Sequence, residues 1–141
     1  MDNNLITEFV NSINALSSNN IQEKLSQIYT QEVEFIDPVK DISGLDNLTT
    51  YFNNLYKSVE HCHFTIIRHI TQHDLHAIEW HMKLKHRKLD KKNEILLEGS
   101  SFIRFDNNKA SYHRDYYDMG ALVYERLPIL GSAVKTVRNA F

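Results

Sequence analysis

A lone cysteine, Cys62, leaves the chain without an internal disulfide, so its stability has to come from a packed core, as suits a reducing compartment. Two prolines and four glycines among 141 residues leave no material for long linkers, and no low-complexity tract or repeat is present. Apolar runs stay far below the ~18 residues a membrane-crossing helix requires. The start, Met1-Asp2-Asn3-Asn4, has no basic segment leading into an apolar one. Nor does charge of one sign dominate. With the histidines neutral the net charge is −2, which gives no electrostatic ground for binding nucleic acid or an anionic membrane. The expectation is a soluble, cytoplasmic protein with neither as a partner.

Against these absences stand 42% hydrophobic and 24% charged residues, enough for one globular domain over residues 1–141 with a substantial core. Leu5, Ile6, Phe9, Val10, Ile13 and Leu16 recur at helical spacing over residues 3–17. A second, shorter helix carries Ile21, Leu25 and Ile28 inward and exits at Tyr29-Thr30. Residues 32–36 alternate like a strand that Asp37-Pro38 stops, because the residue before a proline is pushed out of helical space. Residues 44–57 predict a third helix with Leu45, Leu48, Tyr51, Phe52 and Leu55 on its buried face.

Four strands follow at 63–72, 77–89, 95–105 and 110–118, parted by turn signals at His73-Asp74, Asp90 to Asn93 and Asp106 to Lys109. Helices first and a meander after predict an α+β fold with helices on one face of a curved antiparallel sheet. Residues 119–141 predict a helical extension, with a turn around Ala121, Leu122 and Tyr124 before Leu127-Pro128, then a helix after Gly131.

The stretch 99–118 organises the chemistry. Alternation puts Ser111, His113, Asp115 and Tyr117 on one face of the last strand, and Tyr112, Arg114, Tyr116 and Asp118 on the other. A strand polar on both faces makes poor plain core, so one face is expected to line a pocket and the other an interface or solvent. His113 and Asp115 then look into the pocket, where His113 can bond a ligand or exchange a proton. Phe9, Phe35, Tyr51, Tyr56, Trp80, Met82 and Tyr117 offer an apolar and aromatic lining for a small apolar molecule. Plain core accounts for the same aromatic residues equally well.

Other clusters point elsewhere. His61-Cys62-His63 puts two imidazoles on one strand face, and His73-Asp74-Leu75-His76 adds more, but no further ligand falls into a metal-site spacing, so no metal is expected. Flanking histidines could lower the Cys62 pKa. Lys83, Lys85, Arg87, Lys88, Lys91 and Lys92 crowd one hairpin without aromatic interleaving, which reads as a solvated tip.

The order helix, helix, Phe35-Ile36-Asp37-Pro38, Gly44, helix, meander and Arg114-Asp115-Tyr116-Tyr117-Asp118 resembles the nuclear transport factor 2-like superfamily, and within it the SnoaL-like branch. The resemblance covers residues 5–118. It implies a cone of three N-terminal helices on a curved, mostly antiparallel sheet, a pocket between helices and sheet, and a homodimer.

Asp37-Pro38-Val39 before Gly44 resembles the place where ketosteroid isomerases carry their carboxylate base, which gives Asp37 that role. Those isomerases stabilise the dienolate with a first-helix tyrosine and a protonated late-strand aspartate. Phe9 and Ser101 stand there instead; phenylalanine donates no hydrogen bond and serine is the weaker donor.

The Arg114 to Asp118 run resembles limonene-1,2-epoxide hydrolase, whose matching aspartate helps activate water, a role that falls to Asp115. Trp80 and Met82 occupy the places of that enzyme's arginine and second aspartate, and Phe35 and Asp37 those of its tyrosine and asparagine. No arginine is left to orient two acids around a water.

The resemblance brings Asp37 and Asp115 to one cavity, where paired carboxylates suit proton transfer. Two readings result. One is a cofactor-independent isomerase, cyclase or hydrolase with Asp37 as base and Asp115 and His113 polarising or reprotonating. The other is a non-catalytic binding module, in which Asp37 caps a turn and the apolar tail from Leu122 to Phe141, including Leu127, Ile129 and Leu130, needs a surface to dock on.

Overall fold

Helical periodicity at the start of the chain becomes α1, Asp2–Asn14, in the computed structural model, which describes residues 2–90, 93–123 and 128–141. α1 ends three residues before the expected Ser17. Asn20 ends it: its Oδ1 accepts from the Ser17 amide at 2.8 Å and its Nδ2 donates to the Ala15 carbonyl at 2.9 Å, closing the link to α2, Ile21–Ile28. Asn14 pins α1 to the sheet by exchanging two hydrogen bonds with the backbone of Phe64, at 2.8 and 2.9 Å.

Tyr29 and Thr30 leave α2 as expected, Tyr29 being its C-cap. They open β1, Tyr29–Ile36, and Tyr29 pairs in parallel with Ala110, far along the chain. The segment expected as a turn after Pro38 contains β2, Asp41–Ser43, antiparallel to β1. Gly44 then turns the chain into α3, Leu45–Tyr56, at φ 88°, a conformation only glycine adopts without strain. α3 buries Leu45, Leu48, Phe52 and Tyr56; Leu55 stays 41% exposed rather than joining the buried face.

The meander consists of β3 (Val59–Gln72), β4 (Leu75–His86), β5 (Ile95–Asp106) and β6 (Lys109–Tyr117). β4 stops three residues short of the expected Leu89, where Asp90 takes a positive φ of 45° and Leu89 makes only an isolated bridge to His86. Asn107 and Asn108, at φ 49° and 65°, form the tight turn between β5 and β6, the conformation that asparagine tolerates best after glycine.

The sheet runs β2-β1-β6-β5-β4-β3, antiparallel throughout except for the parallel β1/β6 pair. A register shift between Ile66 and Arg68 marks a bulge, the device that bends long strands. The fold is thus α+β, with helices on a curved, mostly antiparallel six-stranded sheet. The core lies between them, from Ile6 and Phe9 of α1 to Ile78, Trp80 and Met82 of β4 and Ile103 of β5.

After β6, Asp118 caps the short α4, Met119–Leu122, by accepting from the amides of Gly120 and Ala121. α5, Pro128–Asn139, begins before Gly131 rather than after it; a proline suits a first helical turn. It exposes Leu130 and Val137, with Phe141 beyond it. Tyr124, Leu127, Lys91, Lys92 and the side chain of Ile129 lie outside the described residues. Among described residues no helix is long and apolar enough to cross a membrane.

Candidate functional site

Bending of the sheet leaves a cavity of about 350 Å3 between its concave face and α1, α3 and α4. Strand alternation decides what enters it. On β6 the inward set is His113, Asp115 and Tyr117; on β5 it includes Ser101, and on β4 Trp80 and Met82. Phe9 comes from α1, Phe35 and Asp37 from β1 and its exit, and Tyr51 from α3. These ten residues and Tyr56, all singled out in the sequence, border this one cavity, whose remaining wall is mostly apolar; Ser111, expected on the same face of β6, does not line it and bonds the Arg104 carbonyl instead.

At its centre is a chain of hydrogen bonds. Trp80 Nε1 donates to Ser101 Oγ at 2.8 Å, and the Ser101 hydroxyl donates to Asp115 Oδ1 at 2.5 Å. His113 Nε2 reaches the same oxygen at 2.6 Å, while His113 Nδ1 lies 2.7 Å from Tyr29 Oη. Tyr29 is only 1% exposed, and burial followed by the Asp115 charge raises its pKa well above the ordinary phenol value, so it keeps its proton. Its hydroxyl has no other acceptor among the described residues, so it donates to Nδ1. In that arrangement His113 accepts at Nδ1 and donates from Nε2 to Asp115.

Asp115, its side chain 18% exposed, therefore accepts twice at Oδ1, whereas Oδ2 accepts nothing from any described residue. Asp37 is more committed. Its Oδ1 accepts from the amides of Val39 and Lys40, both at 2.8 Å, and its Oδ2 from the Tyr51 hydroxyl at 2.5 Å. It caps a turn and anchors a phenol of the cavity wall together.

Tyr51 and Tyr117 both have raised pKa values. Burial is the main cause for each; for Tyr51 the hydrogen bond to Asp37 comes next, and for both the charges of Asp37 and Asp115 push the same way. Both phenols stay protonated as hydrogen-bond donors.

Several groups sit differently from what the sequence suggests. Cys62 points into the cavity, away from its histidine neighbours, and burial pushes its thiol up to about 12, opposite to activation, despite a hydrogen bond with Tyr56 that pulls the other way. His61 and His63 stack on the exposed side of β3 with ring centroids 6.4 Å apart. His76 is buried, its Nδ1 3.1 Å from His69 Nε2. No three His, Cys, Asp or Glu side chains converge as a metal site among the described residues.

Tyr29 is the member of the site that sequence reasoning missed. It sits at a helix-to-strand junction before the polar run Thr30-Gln31-Glu32, with no periodic signal pointing inward.

The family model of the SnoaL-like domain matches residues 7–113. No curated protein matches in sequence. Among solved structures, a hypothetical protein with a ketosteroid isomerase-like fold from Catenulispora acidiphila, in complex with trimethylamine, superposes with TM-score 0.69 at 14% identity, covering 82% of this chain and 89% of that one. A polyketide cyclase candidate from Acidithiobacillus ferrooxidans gives 0.68 at 15% identity, covering 87% and 92%. A SnoaL-like polyketide cyclase candidate from Jannaschia gives 0.65 at 7% identity, covering 82% and 87%. At such identities the likeness shows a shared nuclear transport factor 2-like fold.

Proposed function

Since the chain belongs to the SnoaL-like domain family, we propose that its cavity takes up a small, largely apolar carbonyl compound and that Asp115 moves a proton on it without a cofactor. One observation carries this reading: a mostly buried carboxylate bordering an apolar cavity, held at Oδ1 by Ser101 and His113, with Oδ2 unclaimed by any described residue. Oδ2 takes a proton from the carbon beside the carbonyl. Charge then develops on the carbonyl oxygen, where the protonated phenol of Tyr117 is the available donor. In a β,γ-unsaturated ketone, returning the proton to the γ-carbon of the dienolate gives the conjugated isomer; in a dicarbonyl compound, attack of the carbanion on the second carbonyl closes a ring and Asp115 returns the proton to the new alkoxide. The polyketide cyclase candidates among the structural neighbours support a carbonyl substrate.

In this assignment the base is Asp115, because both oxygens of Asp37 are engaged in holding the turn and Tyr51. His113, held between Tyr29 and Asp115, orients the carboxylate. A cytoplasmic homodimer belongs to the same reading.

The test is hydrogen exchange at the α-carbon of 2-tetralone in heavy water, followed by NMR. Wild type accelerates exchange, and Asp115→Asn loses roughly 10²–10⁴-fold of that acceleration. Equal exchange by the two proteins, both binding the ketone in a thermal-shift assay, removes the chemistry and leaves the binding module.

A further inference from the structure

The cavity's charges do not balance. Asp37 and Asp115 border it, and no described lysine or arginine does. Neither carboxylate has an ion-pair partner among described residues apart from His113, a single imidazole against two acids. The remaining titratable wall groups carry no positive charge near neutrality: burial raises Cys62, and burial followed by Lys88 lowers His86. Two negative charges thus face a space walled by Phe9, Phe35, Phe52, Phe64, Trp80 and Tyr117.

Resting on the reading of the cavity as a ligand site, we propose that its ligand carries a positively charged tertiary or quaternary amine on an apolar body. Carboxylates with no lysine or arginine beside them, at the edge of an apolar space, attract a cation more strongly than they do in water. Aromatic faces add cation–π attraction, which favours a soft, weakly hydrated ammonium over a metal ion. The ammonium belongs beside Tyr51 and Tyr117, whose phenols both feel Asp37 and Asp115. That leaves Asp115 Oδ2 free to accept the reacting proton. A hydrophobic anion is disfavoured by the same field.

An isosteric pair tests it: benzyltrimethylammonium against neopentylbenzene, the same shape with carbon in place of nitrogen. Trp80, the sole tryptophan, borders the cavity, so its fluorescence reads the binding of both. Wild type should bind the cation at least tenfold more tightly. Asp37→Asn and Asp115→Asn should each narrow that ratio to threefold or less, and Tyr117→Leu should narrow it without changing the cavity's charge. Equal binding of the two compounds by wild type overturns the cationic ligand and leaves the apolar site standing. Binding of neither overturns both. The wild-type ratio decides even if a variant fails to fold.

Discussion

At the scale of single residues, the site depends on which groups keep their protons. The Cys62 thiol rises from its ordinary 9.0 to about 12 because it is buried in the cavity wall. Between those values the folded chain holds a proton that the unfolded chain loses. The stabilisation is therefore complete below pH 9 and drains away as pH climbs toward 12. Tyr29, Tyr51, Tyr56 and Tyr117 act in the same direction from their ordinary 10.0 upward.

Urea midpoints should fall as pH rises past 9, and Cys62→Ala should flatten the first part of that fall. A flat wild-type profile would mean that the thiol is not buried. Tyr29→Phe makes a second residue-scale prediction. It leaves the buried His113 Nδ1 without its donor and should cost about 1–3 kcal/mol in urea unfolding, with a slower ketone exchange. His113, Asp115 and Tyr117 were legible because a strand's period is two. Tyr29 was not, because its inward position is set by a parallel pairing with Ala110 that no local pattern encodes.

At the scale of elements, what the sequence left out are contacts between segments distant along the chain. β2 is three residues long and exists only through its ladder with β1. Locally, its residues read as a turn after Pro38. Gly99 is a further case, since in isolation it looks like a weak point in β5.

In the sheet Gly99 pairs with Trp80, and a Cβ built on it would come within 2.4 Å of the indole and 2.8 Å of the Tyr116 carbonyl. The missing side chain makes room for the tryptophan whose Nε1 starts the hydrogen-bond chain to Asp115. Gly99→Ala should therefore cost roughly 1–3 kcal/mol through overpacking. It should also shift Trp80 emission, because the indole has to move. An unchanged midpoint and spectrum would show that the indole is not confined by this glycine.

At the scale of the whole molecule, the question is what the outer face of the sheet meets. Leu96 is 68% exposed and Tyr116 47% exposed, and both lie on that face with Phe102. Arg104 lies over the Tyr112 ring at 5.6 Å and Arg114 over Tyr116 at 4.8 Å, so each guanidinium has a cation–π partner on this face. Ordered arginines interleaved with tyrosines are the composition of protein interfaces more than of solvated surface. A second copy related by a twofold axis would present the same rings to one another.

The expected state is a homodimer, sedimenting at twice 16.6 kDa. Tyr116→Glu should shift it to the monomer, because a buried charge would then face its own symmetry mate. Val137→Glu, on the exposed side of α5, should leave the dimer intact if the sheet face carries the association. The reverse result would transfer the interface to the C-terminal helix. Sedimentation of the unaltered protein as a monomer would leave the exposed rings of β6 without the partner that their arrangement calls for.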